Sequence, residues 1–376
     1  MLSEDRLVRA LFPFRERKKA MITTITARPT VTIGVDTHKD FHVAAAIDDR
    51  GGLLATATFP ADSEGYQSLR CWAEDLGDID AYGIEGTSSW GAGLTRYLAP
   101  GPARIVEVNS TNRQHRRRHG KSDTTDAIAA ARAVQSGEAT ATPKSGSGAV
   151  EAVRVVRLTM RSAIKARTQA MNQLRCVLDT GPAALRAELA KLPAGQLVAR
   201  VASLEPVGEL TDPYAATVTA LVSLARRHQQ LSVEITTLRG HLKRLIVVAA
   251  PPELLADKGV GPDTAAALVV AAGDNPDRMH SDAAFASLCG VSPVDASSGK
   301  QQRHRLNRGG NRDANQALWR IVLVKMACDP ETQAFIAARI EQGKTKPEAI
   351  RILKRHLARR YWKILTTTPT TPMLTT

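Results

Sequence analysis

Apolar positions fall into two regimes along the chain. Before about residue 140 they form short runs broken by turn residues: Val31–Asp36, a polar turn at Thr37–Lys39, Phe41–Ile47, a turn at Asp48–Gly52, then Leu53–Phe59. Runs of that length between such turns predict a three-strand antiparallel meander. A helical pattern follows at Ser63–Leu76, then a strand ending at Glu85, a helix near Trp90–Leu98, a strand at Arg104–Val108, and a helix opened by Ser122 and filled by Ala127–Ala133. The order βββαβαβα predicts an α/β ribonuclease H-like domain over residues 31–140, a mixed sheet covered by helices.

After Pro143 and the linker-like stretch Ser145–Gly148 the pattern becomes purely helical. Val153, Met160 and Leu174 share one heptad position, and Ile164, Met171 and Leu178 share another. A second stripe, Leu221, Leu224, His228, Leu231, Ile235, Leu238, Leu242 and Leu245, alternates fours and threes. These seams predict a coiled-coil region over 150–248, either an antiparallel pair within the chain or a junction between copies in a dimer or tetramer, with His228 a packed seam residue. Residues 252–364 read as a mostly α C-terminal domain. It opens with two short helices around Gly259-Val-Gly261, similar to a helix-hairpin-helix, and closes on a basic helix at about Pro347–Ile364. Residues 1–30, which contain a second methionine at Met21, read as a flexible basic extension or a misassigned start, and residues 365–376 as a disordered tail.

Charge narrows the function. The 376 residues carry 51 Lys+Arg against 37 Asp+Glu, a net charge of +14, which calls for an anionic partner. No apolar run approaches 18 residues and no signal-peptide core is readable, so the expectation is a cytoplasmic protein with no membrane anchor. Four widely spaced cysteines without a C-x-x-C pair exclude a zinc knuckle and a disulfide framework.

Within this cationic chain the acids of the first domain stand out. Asp36 closes an apolar strand, where a carboxylate is costly unless a cation or donors compensate it. Glu85 ends a strand that this order makes its neighbour, and Asp123 and Asp126, three apart at a helix start, share one face. Four carboxylates then converge on one sheet edge and predict a Mg²⁺ (or Mn²⁺) site. Two ions about 4 Å apart would stabilise the attacking and leaving oxygens of a phosphodiester. Each acid also has a plain structural alternative: a turn for Asp36, a surface pair for Glu85, a dipole-favoured helix start for Asp123.

Basic elements supply candidate nucleic-acid contacts. Arg116, Arg117 and Arg118 precede Asp123. Arg154, Arg157 and Arg161 recur at helical spacing beside the first seam. Lys300, Arg303, Arg305, Arg308 and Arg312 form a Gly-rich cationic loop that enters a helix at Ala317–Val324. A solvated helix face is the competing reading for the stripe. Aromatics are only 4%, which argues against base stacking as the main source of binding.

The text Ile33-Gly-Val-Asp36-Thr-His-Lys39, Gly83-Ile-Glu85-Gly-Thr, Lys121-Ser-Asp123-Thr-Thr-Asp126-Ala, then Gly259-Val-Gly-Pro262, Leu288-Cys-Gly-Val-Ser-Pro293 and Ser298-Gly299 resembles the RuvC-like DEDD transposases of insertion sequences, the IS-one-ten group, also described as bridge-RNA-guided recombinases. The resemblance runs from about Val31 to Lys325. It implies that Asp36, Glu85, Asp123 and Asp126 hold Mg²⁺, and that a serine of the C-terminal domain, Ser298 or its neighbour Ser297, attacks the DNA backbone to form a covalent phosphoserine. It also implies a structured guide RNA as a partner beside the element and target DNA. Two other activities compete: a RuvC-like junction nuclease that uses water, and an actin-like sugar or acetate kinase suggested by Val35-Asp36-Thr-His. A purely structural nucleic-acid binder would not need the acids.

Overall fold

The computed structural model describes residues 28–109, 122–299 and 304–367. Residues 1–27 of the expected N-terminal extension and 368–376 of the expected disordered tail therefore lie outside the described residues, as do Arg116, Arg117, Arg118, Lys300 and Arg303, while residues 365–367 continue the last helix instead of opening the tail.

Three antiparallel strands open the fold, β1 (Thr30–Thr37), β2 (Phe41–Ile47) and β3 (Leu53–Pro60), as the alternating runs and turns dictate. Helix α1 (Ser63–Leu76), capped by Asp62, leads to β4 (Asp78–Glu85). Helix α2 (Ala92–Leu98) leads to β5 (Arg104–Val108). Both later strands run parallel to β1, giving a five-stranded mixed sheet in the order β3-β2-β1-β4-β5. One face packs on α1 and α2 through Ile33, Val35, Tyr82 and Ile84, and the other receives α3 (Asp123–Gln135). This mixed sheet followed by a predominantly helical remainder is compatible with the ribonuclease H-like order read from the sequence.

Beyond the sheet, α4 (Ala149–Thr180) and α7 (Pro213–Ala249) run for 32 and 37 residues, about 48 and 55 Å, and pack against each other within the chain. At their far end Leu174, Leu178, Leu221 and Val222 close a core with two helices that the periodicity did not separate, α5 (Ala183–Leu189) and α6 (Ala194–Ala202). At the near end Val153, Met160, Leu242 and Ile246 share a core with α9 (Pro262–Ala272), α11 (Arg312–Cys328) and α13 (Lys346–Thr367). Between them lie α8 (Pro252–Ala256), α10 (Asp282–Leu288), a two-rung hairpin of β6 (Val294–Asp295) and β7 (His304–Arg305), and α12 (Pro330–Glu341), which the sequence did not announce. The helix-hairpin-helix-like turn is thus a five-residue helix, the turn through Gly259, and α9. Among the described residues no helix is long and apolar enough to cross a membrane.

Within the arginine stripe on α4, Arg157 requires correction as an open phosphate-binding residue, while Arg154 and Arg161 are exposed. Arg157 is 8% exposed and holds two acids, Asp263 and Asp313, each at 3.1 Å, while Arg161 also pairs with Asp313 and Arg154 pairs with Glu151. Arg157 lies four residues after Val153 and three before Met160, so it sits in the buried seam rather than beside it. Asp263 and Asp313 occupy the first turns of α9 and α11, where the helix dipole favours negative charge. The arginine therefore clamps two helix starts onto the long helix.

Candidate metal centre

The acidic edge is built by two glycines as much as by the acids. On β1 and β4, Gly34 and Gly83 lie side by side in register, facing α3. A Cβ on Gly34 would sit 2.0 Å from the carbonyl oxygen of Ala127 and 2.3 Å from the amide nitrogen of Ala131. Only glycine lets α3 approach so closely. Asp36 and Glu85 are two residues further along the same two strands and so share that face. The first turn of α3, fixed by the Ser122 cap on the Thr125 amide, brings Asp123 and Asp126 to it.

The result is a tight constellation. Single ligand atoms of Asp36, His38 and Asp123 lie within 4.8 Å of one another. His38 Nε2 is 3.3 Å from Asp36 and 3.4 Å from Asp123, and its ring packs on Phe41. Asp126 is buried, and Glu85 is half-buried on the adjoining strand, where the Thr37 hydroxyl donates to the Glu85 carbonyl at 2.9 Å. Burial pushes the Asp36 carboxyl above the ordinary carboxylate range; the His38 ring opposes this, and the nearby Asp126 and Asp123 charges add to it. A cation would relieve all of that repulsion. The donor set of carboxylate oxygens with one imidazole nitrogen fits a divalent ion.

His38 is the residue that reading for carboxylates passed over, although it stands two places after Asp36 in the motif text. The second histidine nearby, His42, has a different fate. It is fully buried on the opposite face and stacked on Tyr66, and burial lowers its pKa.

The serine region lies in the helical half. Ser297 and Ser298 are both exposed, on the turn side of the β6–β7 hairpin. The Ser297 amide donates to Asp295 at 2.9 Å and its hydroxyl bonds the same carboxylate, while Gly299 turns the chain at φ 55°. The hydrogen bonds and ion pairs among the described residues link this hairpin to neither Asp36 nor Asp123. Arg305, Arg308 and Arg312 are exposed beside the hairpin and at the start of α11.

Two family models match the chain. A family model for a DEDD-type transposase of the IS110 group, described simply as "Transposase", matches residues 33–181, and one described as "Transposase IS116/IS110/IS902 family" matches residues 253–337. A Streptomyces coelicolor protein named for the transposase of the IS117 mini-circle is 31% identical over 166 residues, 42% of this chain and 40% of that protein. The 43.6 kDa protein of insertion element IS110 from the same organism is 33% identical over 108 residues, 28% of this chain and 26% of that protein. The matched stretches thus span less than half the length of these curated relatives. With one family model over the sheet domain and the whole of α4 and a second from α8 into α12, in that order, the chain belongs to the IS110 family of insertion-element transposases.

Proposed function

We propose that this protein is a DNA transposase that cuts and rejoins phosphodiester backbones with a divalent-metal site and a serine nucleophile, on a RuvC-like acidic domain. The observation that carries the reading is the meeting of Asp36, His38 and Asp123 at the sheet edge where Glu85 and Asp126 also point. Asp36, Glu85, Asp123 and Asp126 would hold Mg²⁺ or Mn²⁺, with His38 as an additional ligand. Bound there, such an ion lowers the barrier to attack on a phosphodiester by neutralising charge on its oxygens and acidifying an attacking hydroxyl.

The chain's own part in the reaction follows from its geometry. Buried carboxylates, held rigid by the α3–glycine contact, keep the acidic edge preorganised and costly to leave uncompensated. Asp295 fixes the turn through Ser297 and so presents Ser298 outward. The Ser298 oxygen would bond to phosphorus as the bond to one strand oxygen breaks; the hydroxyl proton leaves to solvent, and the departing strand ends in a hydroxyl. One phosphodiester is exchanged for another, so rejoining needs no outside energy source. Acidic edge and hairpin must meet for this, which supports assembly of more than one copy. A structured guide RNA fits the basic surplus and belongs to the same proposal.

The test is incubation of the protein with Mn²⁺ or Mg²⁺, copurified RNA and DNA carrying an element junction, followed by mass spectrometry of its peptides. A nucleotide on Ser298, lost in Ser298→Ala and kept in Ser297→Ala, is the expected result. A Ser298→Ala protein that still forms the adduct overturns the assignment. One observation favours a second reading, a nuclease that uses water: Asp36, His38 and Asp123 all come from the sheet domain, so the acidic cluster is assembled without the hairpin that carries Ser298. That enzyme would leave free ends and no adduct.

A further inference from the structure

Away from the acidic edge, a basic cavity of about 720 Å³ lies between α13 and the segment that leaves the serine hairpin. One wall is α13, which contributes Arg351, Lys354, Arg355 and Arg359; the other contributes Arg305 and Arg308. These positions are 43 or more residues apart in sequence, so neither wall announces the other (351 − 308 = 43).

What distinguishes this cavity from the α4 stripe is how the charge is used. Every arginine of the stripe is committed to a carboxylate of the same chain. In the cavity, the guanidiniums of Arg305, Arg308, Arg351 and Arg355 make no hydrogen bond or ion pair among the described residues, whereas that of Arg359 is held by Asp282 at 2.8 Å. The one acid in the lining, Glu348, accepts from the amide and hydroxyl of Thr345 at 2.8 Å each. On the α13 wall Lys354 is 7% exposed, and its ammonium donates to Asn315 Oδ1 at 2.5 Å; Asn315 in turn donates to the carbonyls of Cys289 and Gly290 at 3.0 and 2.9 Å. Burial lowers the Lys354 pKa. A buried ammonium on a fixed amide, facing a space rimmed by uncommitted guanidiniums, is a built anion seat.

We propose that this cavity seats the sugar-phosphate backbone of a DNA strand, the strand on which the hairpin serine acts. Three features select that occupant. Forked guanidiniums and an ammonium match phosphate oxygens. No Phe, Tyr or Trp lines the cavity, and its rings are only those of His304 and His356, so groups that hold phosphates outnumber aromatic platforms for the stacked bases by which single-stranded RNA is recognised. And His304 and Arg305, lining the cavity, are β7 itself, which pairs with β6, the strand that leads into the turn with Ser297 and Ser298. The choice of strand rests on the serine reading above; the seat does not.

The test is fluorescence anisotropy of the full chain with a short fluorescein-labelled DNA strand, in EDTA so that no metal-dependent step takes part. Arg308→Glu and Arg355→Glu are each expected to weaken binding about tenfold and to reduce the slope of log affinity against log salt by roughly 0.7 to 1. Arg355→Lys should recover most of the affinity, and unchanged melting temperatures would show that the exposed arginines were not holding the fold. Affinity and slope unchanged in the double variant overturn the proposal. So does an effect confined to an RNA strand of the same sequence. If the charge reversals act as expected while the Ser298 adduct is absent, the serine assignment fails and the backbone seat stands.

Discussion

Replacing Arg157 by methionine tests whether the α4 stripe holds protein or nucleic acid. Methionine retains the apolar stem in the seam between Val153 and Met160 and removes only the guanidinium. The loss severs contacts of 3.1 Å to Asp263 and to Asp313. Breaking a fully buried pair costs about 3–5 kcal/mol because a charge is left uncompensated. Here the two carboxylates are 37% and 35% exposed and keep Arg320 and Arg161 as partners, so water and the remaining cations absorb part of that cost. A destabilisation of about 2 kcal/mol remains, which for a cooperative unit of 150–250 residues lowers the melting temperature by about 4–8 °C. Thermal unfolding followed by circular dichroism measures it, and a double-mutant cycle with Asp313→Asn should return a coupling of about 1–2 kcal/mol. A variant that melts with the wild type yet loses nucleic-acid affinity would refute the clamp and restore the stripe as a phosphate contact.

Three further outcomes follow from the same structure. Gly34→Ala drives a methyl into the backbone of α3 and should cost about 1–3 kcal/mol or more while weakening Mn²⁺ binding at least tenfold, read by calorimetric titration; unchanged affinity would show that α3 need not sit so close. Burial works to raise the Asp313 pKa, but hydrogen bonds from Arg161 and Arg157 outweigh it and hold the carboxyl below its ordinary range. The stability this contributes is present above the unfolded value near 4 and lost as pH falls through the folded value. The gap between wild type and Asp313→Asn should therefore be constant above about pH 5 and close below about pH 4 in urea titrations. His38→Gln should weaken Mn²⁺ more than Mg²⁺, since only the softer ion gains much from an imidazole; equal losses would exclude His38 as a ligand.

The acidic edge was legible because its signals are local. A carboxylate at the end of an apolar run and a serine cap ahead of two acids state their own cost and position, and the strand order does the rest. His38 was harder, because a histidine in a turn carries no periodic signal and its role depends on Asp123, 85 residues away (123 − 38 = 85). The apolar members of the α4 and α7 seams are legible from their spacing, yet charge alone puts Arg157 on a cationic stripe for nucleic acid although its spacing places it inside. Its partners lie 106 and 156 residues downstream, and no local pattern encodes them. The cavity beside the hairpin was invisible for the same reason: the loop and α13 each read as basic, but only packing brings them face to face.

The joint between the two halves bears on how such proteins are recombined by design. From Ala141 to Val150 the chain is stitched down: Ala141 pairs with Glu107 on β5, the carbonyls of Thr142 and Pro143 accept from Arg278 and Asn275, the Ser145 amide donates to Asn275, and Val150 to Asp274. Lys144 adds a bond to the Val270 carbonyl at 2.6 Å. A chimera that joins the acidic half of one relative to the helical half of another therefore has no neutral seam at this composition-marked stretch. Its crossover has to carry residues 141–150 together with 270–278, or the hybrid inherits a tether whose hydrogen-bonding groups find no counterpart.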